Sequence, residues 1–181
     1  YYPTNGNEGI IDIEFRNDSI YALTESKMYV ANVNSFALAD PSQWYIDGRV
    51  TELTASEEKY TELELLGDSL YLLFNHSGYG LDTVFSVGDN SIFPAFVENF
   101  VMEIRTIKAI NNRLAVCYNP GVFLYNETFN NIIGMSNYTF SPSGVRLNAL
   151  SYSNDSYWFA DDLLGLTEYK TDNDNRQILI N

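Results

Sequence analysis

Four times along 181 residues, the chain sets a two-residue polar turn directly before an apolar, β-prone run. Asn17-Asp18 precedes Ser19-Ile20-Tyr21-Ala22, and Gly67-Asp68 precedes Ser69-Leu70-Tyr71-Leu72. Asn111-Asn112 precedes Arg113-Leu114-Ala115-Val116, and Asn154-Asp155 precedes Ser156-Tyr157-Trp158-Phe159. The first residues after the turns, Ser19, Ser69, Arg113 and Ser156, are spaced by 50, 44 and 43 positions. Asn, Asp and Gly tolerate left-handed dihedrals, so each pair can reverse the chain tightly. A recurrence at roughly 40 to 50 residues is the period of stacked β-blades. Such a repeat cannot bury its apolar face alone and must lie against a neighbour.

Strand patterns fill the space around each turn. The first repeat, residues 10–50, predicts strands near 11–15, 19–23, 28–31 and 43–46. Residues 11–15 alternate apolar and acidic, the period of a half-buried strand, whereas 19–23 is more continuously apolar and predicts deeper burial. Residues 50–59, with Ala, Ser and Glu, suggest a short helical turn. The second repeat, 60–98, predicts strands near 63–66, 69–74, 84–87 and 92–97. Pro94 restricts the last of these to an edge or a bulge. The third repeat, 101–136, and the fourth, 145–181, each continue with four more. The expected fold is all-β, a β-propeller of four-stranded antiparallel blades with one blade per repeat. Four blades suffice for a closed propeller, and they equally suit part of a larger one. An incomplete array leaves apolar blade faces open at its ends, which further chain or self-association would have to cover.

Composition excludes several functions. The chain has 24 acids against 10 bases, a formal charge of −14, and this field repels nucleic acid and anionic lipid. The acids are dispersed along the sequence, as solvated strand faces and turns are. No apolar run approaches the length of a membrane span, and the first residues carry no signal-peptide pattern. A single cysteine, Cys117, rules out an intrachain disulfide and sits in a strand-like context where a thiol packs as a small hydrophobe. With one histidine and one cysteine, no zinc site of Cys and His ligands can assemble within one chain. No phosphate-cradling G-x-x-x-x-G-K-[ST] loop occurs. Asp172-Asn173-Asp174-Asn175 opens like a calcium loop but lacks its Gly and its later bidentate Glu, and Asp161-Asp162 alone is no better. No metal, cofactor or catalytic residue is therefore expected. Five Asn-x-Ser/Thr triplets, Asn17-Asp18-Ser19 and Asn154-Asp155-Ser156 among them, are accounted for by turn chemistry in an Asn-rich chain. Tyr21, Tyr71 and Trp158 stand at equivalent places in their repeats and read as packing between blades.

The fourth repeat carries the most specific wording. Asn148-Ala149-Leu150, Asn154-Asp155, Tyr157-Trp158-Phe159-Ala160 and Gly165-Leu166 resemble the repeat of two-component-regulator-type β-propellers. In that family a small residue follows the aromatic strand and a Gly-Leu pair opens the next one. Here Ala160 stands where Gly is usual, and Asp161-Asp162 replaces the usual small hydroxyl residue. The wording is most similar to the propellers of the PorZ-like proteins of the type IX secretion system of Bacteroidota. That resemblance implies a non-catalytic, extracytoplasmic propeller at the periplasm or cell surface. Such a module would bind a protein partner or a glycan at the cell envelope, in secretion or surface glycan handling. Two rivals stand beside it: the ligand-sensing propeller of a membrane regulator, and a glycan-active enzyme using carboxylates.

Successive blades repeat the same strand directions, so equivalent loops emerge on one face. The loops between second and third strands fall near 25–26, 75–82, 119–121 and 161–165. The second is the longest and offers His76 and Tyr79, and the fourth offers Asp161 and Asp162. A carboxylate pair with a nearby aromatic suits the hydroxyls and apolar face of a sugar, so these four are the expected ligand-binding residues.

Overall fold

Sixteen strands in four sheets and one short 3₁₀ turn account for the regular structure of a computed structural model, which describes residues 8–35, 37–76, 81–97, 104–118, 121–126, 132–135, 147–161, 165–171 and 177–180. Each sheet is a four-stranded antiparallel meander whose strands neighbour one another in chain order. The first holds β1 (Asp12–Arg16), β2 (Ser19–Leu23), β3 (Met28–Asn32) and β4 (Tyr45–Ile46). The second holds β5 (Glu58–Leu66), β6 (Ser69–His76), β7 (Thr83–Val87) and β8 (Ile92–Val97). The third holds β9 (Ile104–Ile110), β10 (Arg113–Tyr118), β11 (Gly121–Tyr125) and β12 (Ile132–Met135). The fourth holds β13 (Leu147–Ser153), β14 (Ser156–Asp161), β15 (Gly165–Thr171) and β16 (Gln177–Ile180).

The four turns that define the repeat have a common backbone. Asn17, Gly67, Asn111 and Asn154 all take positive φ, between 48° and 58°, as the first turn residue. In the third and fourth sheets the second turn residue, Asn112 or Asp155, is also left-handed, as a two-residue hairpin turn of the primed type requires. These turns pin the register: Arg16 pairs with Ser19, Leu66 with Ser69, Ile110 with Arg113 and Ser153 with Ser156.

Two expectations are corrected. Residues 50–59 form no helix. Only one tight turn occurs there, with Glu58 N–H donating to Ala55 O at 3.3 Å; Leu53 N–H donates to Ser26 O at 2.8 Å, and Glu58 already belongs to β5. The fourth strand of the first sheet is also shorter than predicted. Pro41–Gln43 is a 3₁₀ turn capped by Asp40, whose carboxylate accepts from Ser42 N–H, leaving only Tyr45 and Ile46 to pair with β3. Pro94 does lie on an outer strand, beside a register shift between Val84 and Phe85, as its missing N–H demands.

The chain divides into two compact units, residues 1–101 and 102–181. Within each, two sheets share one core. Residues opposed across an antiparallel pair point to the same face. In the first unit Tyr21 and Leu23, with their partners Val30 and Met28, pack against Leu70 and Leu72, with their partners Leu63 and Val87. In the second, Ala115 and Cys117, with Leu124 and Val122, pack against Tyr157 and Phe159. Taking the residue after each defining turn as position one, the third and fifth positions of one sheet meet the second and fourth positions of the next, in both units. Most of these side chains are less than 5% exposed, so each sheet-on-sheet contact is dry and worth roughly 25 cal/mol per Å² of apolar area removed from water. Cys117, fully buried, is part of that packing.

Polar groups fasten the ends of this stack. Glu8 accepts from Thr24 Oγ1 at 2.9 Å and from Ser26 Oγ at 2.8 Å, holding the turn between β2 and β3. Asp12 Oδ2 accepts from Leu63 N–H at 2.8 Å, joining the first strand of one sheet to the first of the next. Ser156, fully buried, donates to Glu168 at 2.6 Å, which explains a hydroxyl at the head of that strand.

Candidate functional site

Of the four residues predicted for the loop face, His76 and Asp161 lie among the described residues. His76 is the last residue of β6, one residue inside the sheet where the sequence suggested a loop. It lies opposite Glu58, with Nε2 3.9 Å from Glu58 Oε1, and its backbone N–H donates to the buried carboxylate of Asp82 at 3.0 Å. The neighbouring Asn75 accepts from Thr61 Oγ1 at 2.6 Å. The His76 imidazole is thus partly buried beside one carboxylate, that of Glu58, while Asp82 is held by the His76 backbone rather than by its ring. Asp161 is the last residue of β14 and pairs with Gly165. Tyr79 and Asp162 lie outside the described residues. His76 belongs to the first unit and Asp161 to the second. Among the described residues, no cluster of three or more His, Cys, Asp or Glu side chains forms a metal site. Tyr21 and Tyr71 are buried packing residues, and Trp158 is half-buried with Nε1 donating to Ser153 O at 3.4 Å.

A second site was not foreseen from sequence. A cleft of about 350 Å³ in the first unit is lined by the β1–β2 turn, by the segment following β4, and by the turn between β7 and β8. In a meander, the first and third turns lie at one end of the sheet and the second at the other. Arg16, Asn17 and Asp89 therefore come from the end opposite the loop that follows His76.

The wall of the cleft is a built ion pair. Arg49 Nε donates to Asp47 Oδ1 at 2.9 Å and Oδ2 at 3.1 Å, and Nη2 donates to Oδ2. Its Nη1 donates to Gly88 O at 2.6 Å, tying the first sheet's exit to the second sheet's third turn. The guanidinium also stands 5.7 Å over the Tyr21 ring, a cation–π distance. Hydrogen bonding to Asp47 holds Arg49 above its already high ordinary pKa, against the opposing effect of burial. Asp47 is buried, and its Oδ1 also accepts from the Arg49 N–H at 3.1 Å.

Arg16 is different. Its side chain is only 15% exposed, yet its one ion-pair partner among the described residues is Asp89, 3.0 Å from Nη2 and 82% exposed. Its Nε is buried and has no hydrogen-bond partner. Tyr45, 63% exposed, completes the lining. The sequence carried no motif for this cleft, because its residues come from three separate turns up to 73 positions apart.

No protein-family model matches the chain, and no curated protein matches its sequence. Among solved structures it is similar in fold to PorZ, described as an essential bacterial surface component of the type-IX secretion system of Porphyromonas gingivalis. The TM-score is 0.65 at 13% identity, over 96% of this chain and 21% of that one. It is also similar to human WBSCR16, with a TM-score of 0.52 at 12% identity over 93% of this chain and 49% of that one. A chain from an S. cerevisiae structure of Dbp5 bound to Nup159, Gle1, IP6 and ADP gives 0.53 at 12% identity, over 94% and 46%. The chain thus spans about a fifth of PorZ and less than half of the other two. At this identity the likeness is one of fold: an all-β chain of four antiparallel four-stranded sheets.

Proposed function

We propose that this chain is a segment of a β-propeller that acts as a non-catalytic binding or scaffold module at the bacterial cell envelope, in type IX secretion. The observation that carries the reading is the likeness of fold to PorZ over 96% of the chain, joined to the sheet-on-sheet stacking repeated in both units. In this reading the sheets are blades and the partner is a protein or glycan of the envelope. The loops between second and third strands, with His76, Tyr79, Asp161 and Asp162, are its contact face. A sensor propeller of a membrane regulator would share the fold but not the compartmental role. A glycan-active enzyme would need a carboxylate pair, and no observation selects one.

The test is made in cells carrying the intact gene. Surface protease treatment should degrade the protein in unbroken cells, and deleting the gene should strand type IX cargo inside the outer membrane. Cytoplasmic protection from protease together with normal cargo secretion would overturn the reading. Glycan hydrolysis by the purified protein would transfer it to the enzymes.

A further inference from the structure

We infer that the cleft between the first two sheets binds a small hydroxylated carboxylate of the size of a sugar acid, anchored by Arg16. The cleft displays two guanidiniums side by side in chemistry. Arg49 presents its Nε and Nη2 edge to both oxygens of Asp47, a complete side-on fork. Arg16 presents the same edge, but Asp89 meets only Nη2 and the buried Nε has no partner. A planar guanidinium edge with one donor unmatched is complementary to a carboxylate that can span both.

Asp89 is a weak competitor. Its carboxylate is 82% exposed, and an ion pair open to water on one side contributes little. A ligand carboxylate lying inside the cleft would take both donors and let Asp89 return to solvent. The lining sets two cations against two carboxylates, so it is locally neutral in a chain of charge −14. Displacing Asp89 leaves that lining with a net positive charge.

The rest of the cleft specifies the body of the ligand. Asn17 and Ser19 offer amide and hydroxyl groups, and Tyr45 offers an exposed amphipathic ring. A volume of about 350 Å³ lies at the small end of ligand pockets. It admits one or two sugar-sized rings and no long aliphatic chain. The Arg49–Asp47 pair, tied to Gly88, keeps the wall in place before the ligand arrives.

Glucuronate is the probe and glucose its neutral counterpart, titrated calorimetrically into the intact protein at fixed ionic strength. Glucuronate should bind at least about tenfold more tightly than glucose, the margin of a charge-assisted fork over neutral hydrogen bonds. Arg16→Lys keeps the charge but removes the fork, and should weaken glucuronate binding about tenfold. Asp89→Asn removes the competitor and should tighten it severalfold. Equal affinity for the two sugars, or no binding of either, would overturn the inference. So would an Arg16→Lys protein that retains native circular dichroism and full affinity. If Arg16→Lys fails to fold, Asp89→Asn decides alone: weaker binding would make Asp89 a ligand contact and contradict the displacement. None of these outcomes bears on the cellular location of the protein, so the inference and the proposed envelope role fail separately.

Discussion

Tyr60 shows how a single residue ties chemistry to stability here. It begins the core on β5 and is only 3% exposed, its ring edge-on to Phe74 at 5.9 Å and its hydroxyl donating to Thr51 O at 2.9 Å. Burial, helped by the negative charge of Glu58, pushes its pKa up to about 12 from an ordinary 10.0. The folded state therefore favours the neutral phenol. That contribution is fully present below pH 10 and is lost as pH rises from 10 towards 12. We expect urea stability to fall across that window by on the order of 2 kcal/mol from this group. In Tyr60→Phe the alkaline loss should shrink, while stability at pH 7 falls by about 1 kcal/mol for the lost hydrogen bond. Identical alkaline profiles for the two proteins would contradict the assignment. The Arg49–Asp47 pair sits beside this core and shows what residue-scale reading of a sequence misses. Asp47-Gly48 reads as a turn, and it is one, but the carboxylate is buried because Arg49 two residues on folds back over it.

At the scale of elements, the defining turns were legible because their chemistry is local. Asn and Asp at positions needing positive φ, set between β-prone runs, specify a hairpin without help from elsewhere. All four hairpins stand where those turns predicted them, and the paired registers follow from them. The segments that departed are those whose conformation is decided by distant backbone. Residues 50–59 make one tight turn and no helix because Ser26 accepts from Leu53 N–H and Glu25 from Tyr60 N–H just beyond, contacts across more than 25 positions that composition cannot show. β4 is cut to two residues by the Asp40-capped turn before it. The turn reading carries its own test at Asn112, with φ of 54°. Asn112→Ala should cost about 1 kcal/mol, because an L residue with a Cβ is strained there, whereas Asn112→Gly should be nearly neutral. Chemical denaturation of both variants measures this. Equal costs for Ala and Gly would mean that the left-handed turn is not what holds β9 to β10.

For the whole molecule, period and strand content were enough to predict four antiparallel four-stranded sheets. The candidate site was far less legible. His76 was visible because it is the only histidine, but Glu58 faces it only through strand pairing, and Asp82 reaches its backbone N–H only once the chain returns into β7. The Arg16 cleft was invisible because three turns of two sheets must meet before its donors face one space. What organises all of this is one stacking rule: the third and fifth positions after the defining turn of one sheet meet the second and fourth positions of the next. It is most directly tested by methyl and aromatic nuclear Overhauser contacts in the deuterated, methyl-labelled protein. The account predicts cross-peaks joining the Tyr21 and Leu23 set to the Leu70 and Leu72 set, and the Ala115, Val122 and Leu124 set to Tyr157 and Phe159. Cross-peaks confined within each sheet, with none between these sets, would contradict it.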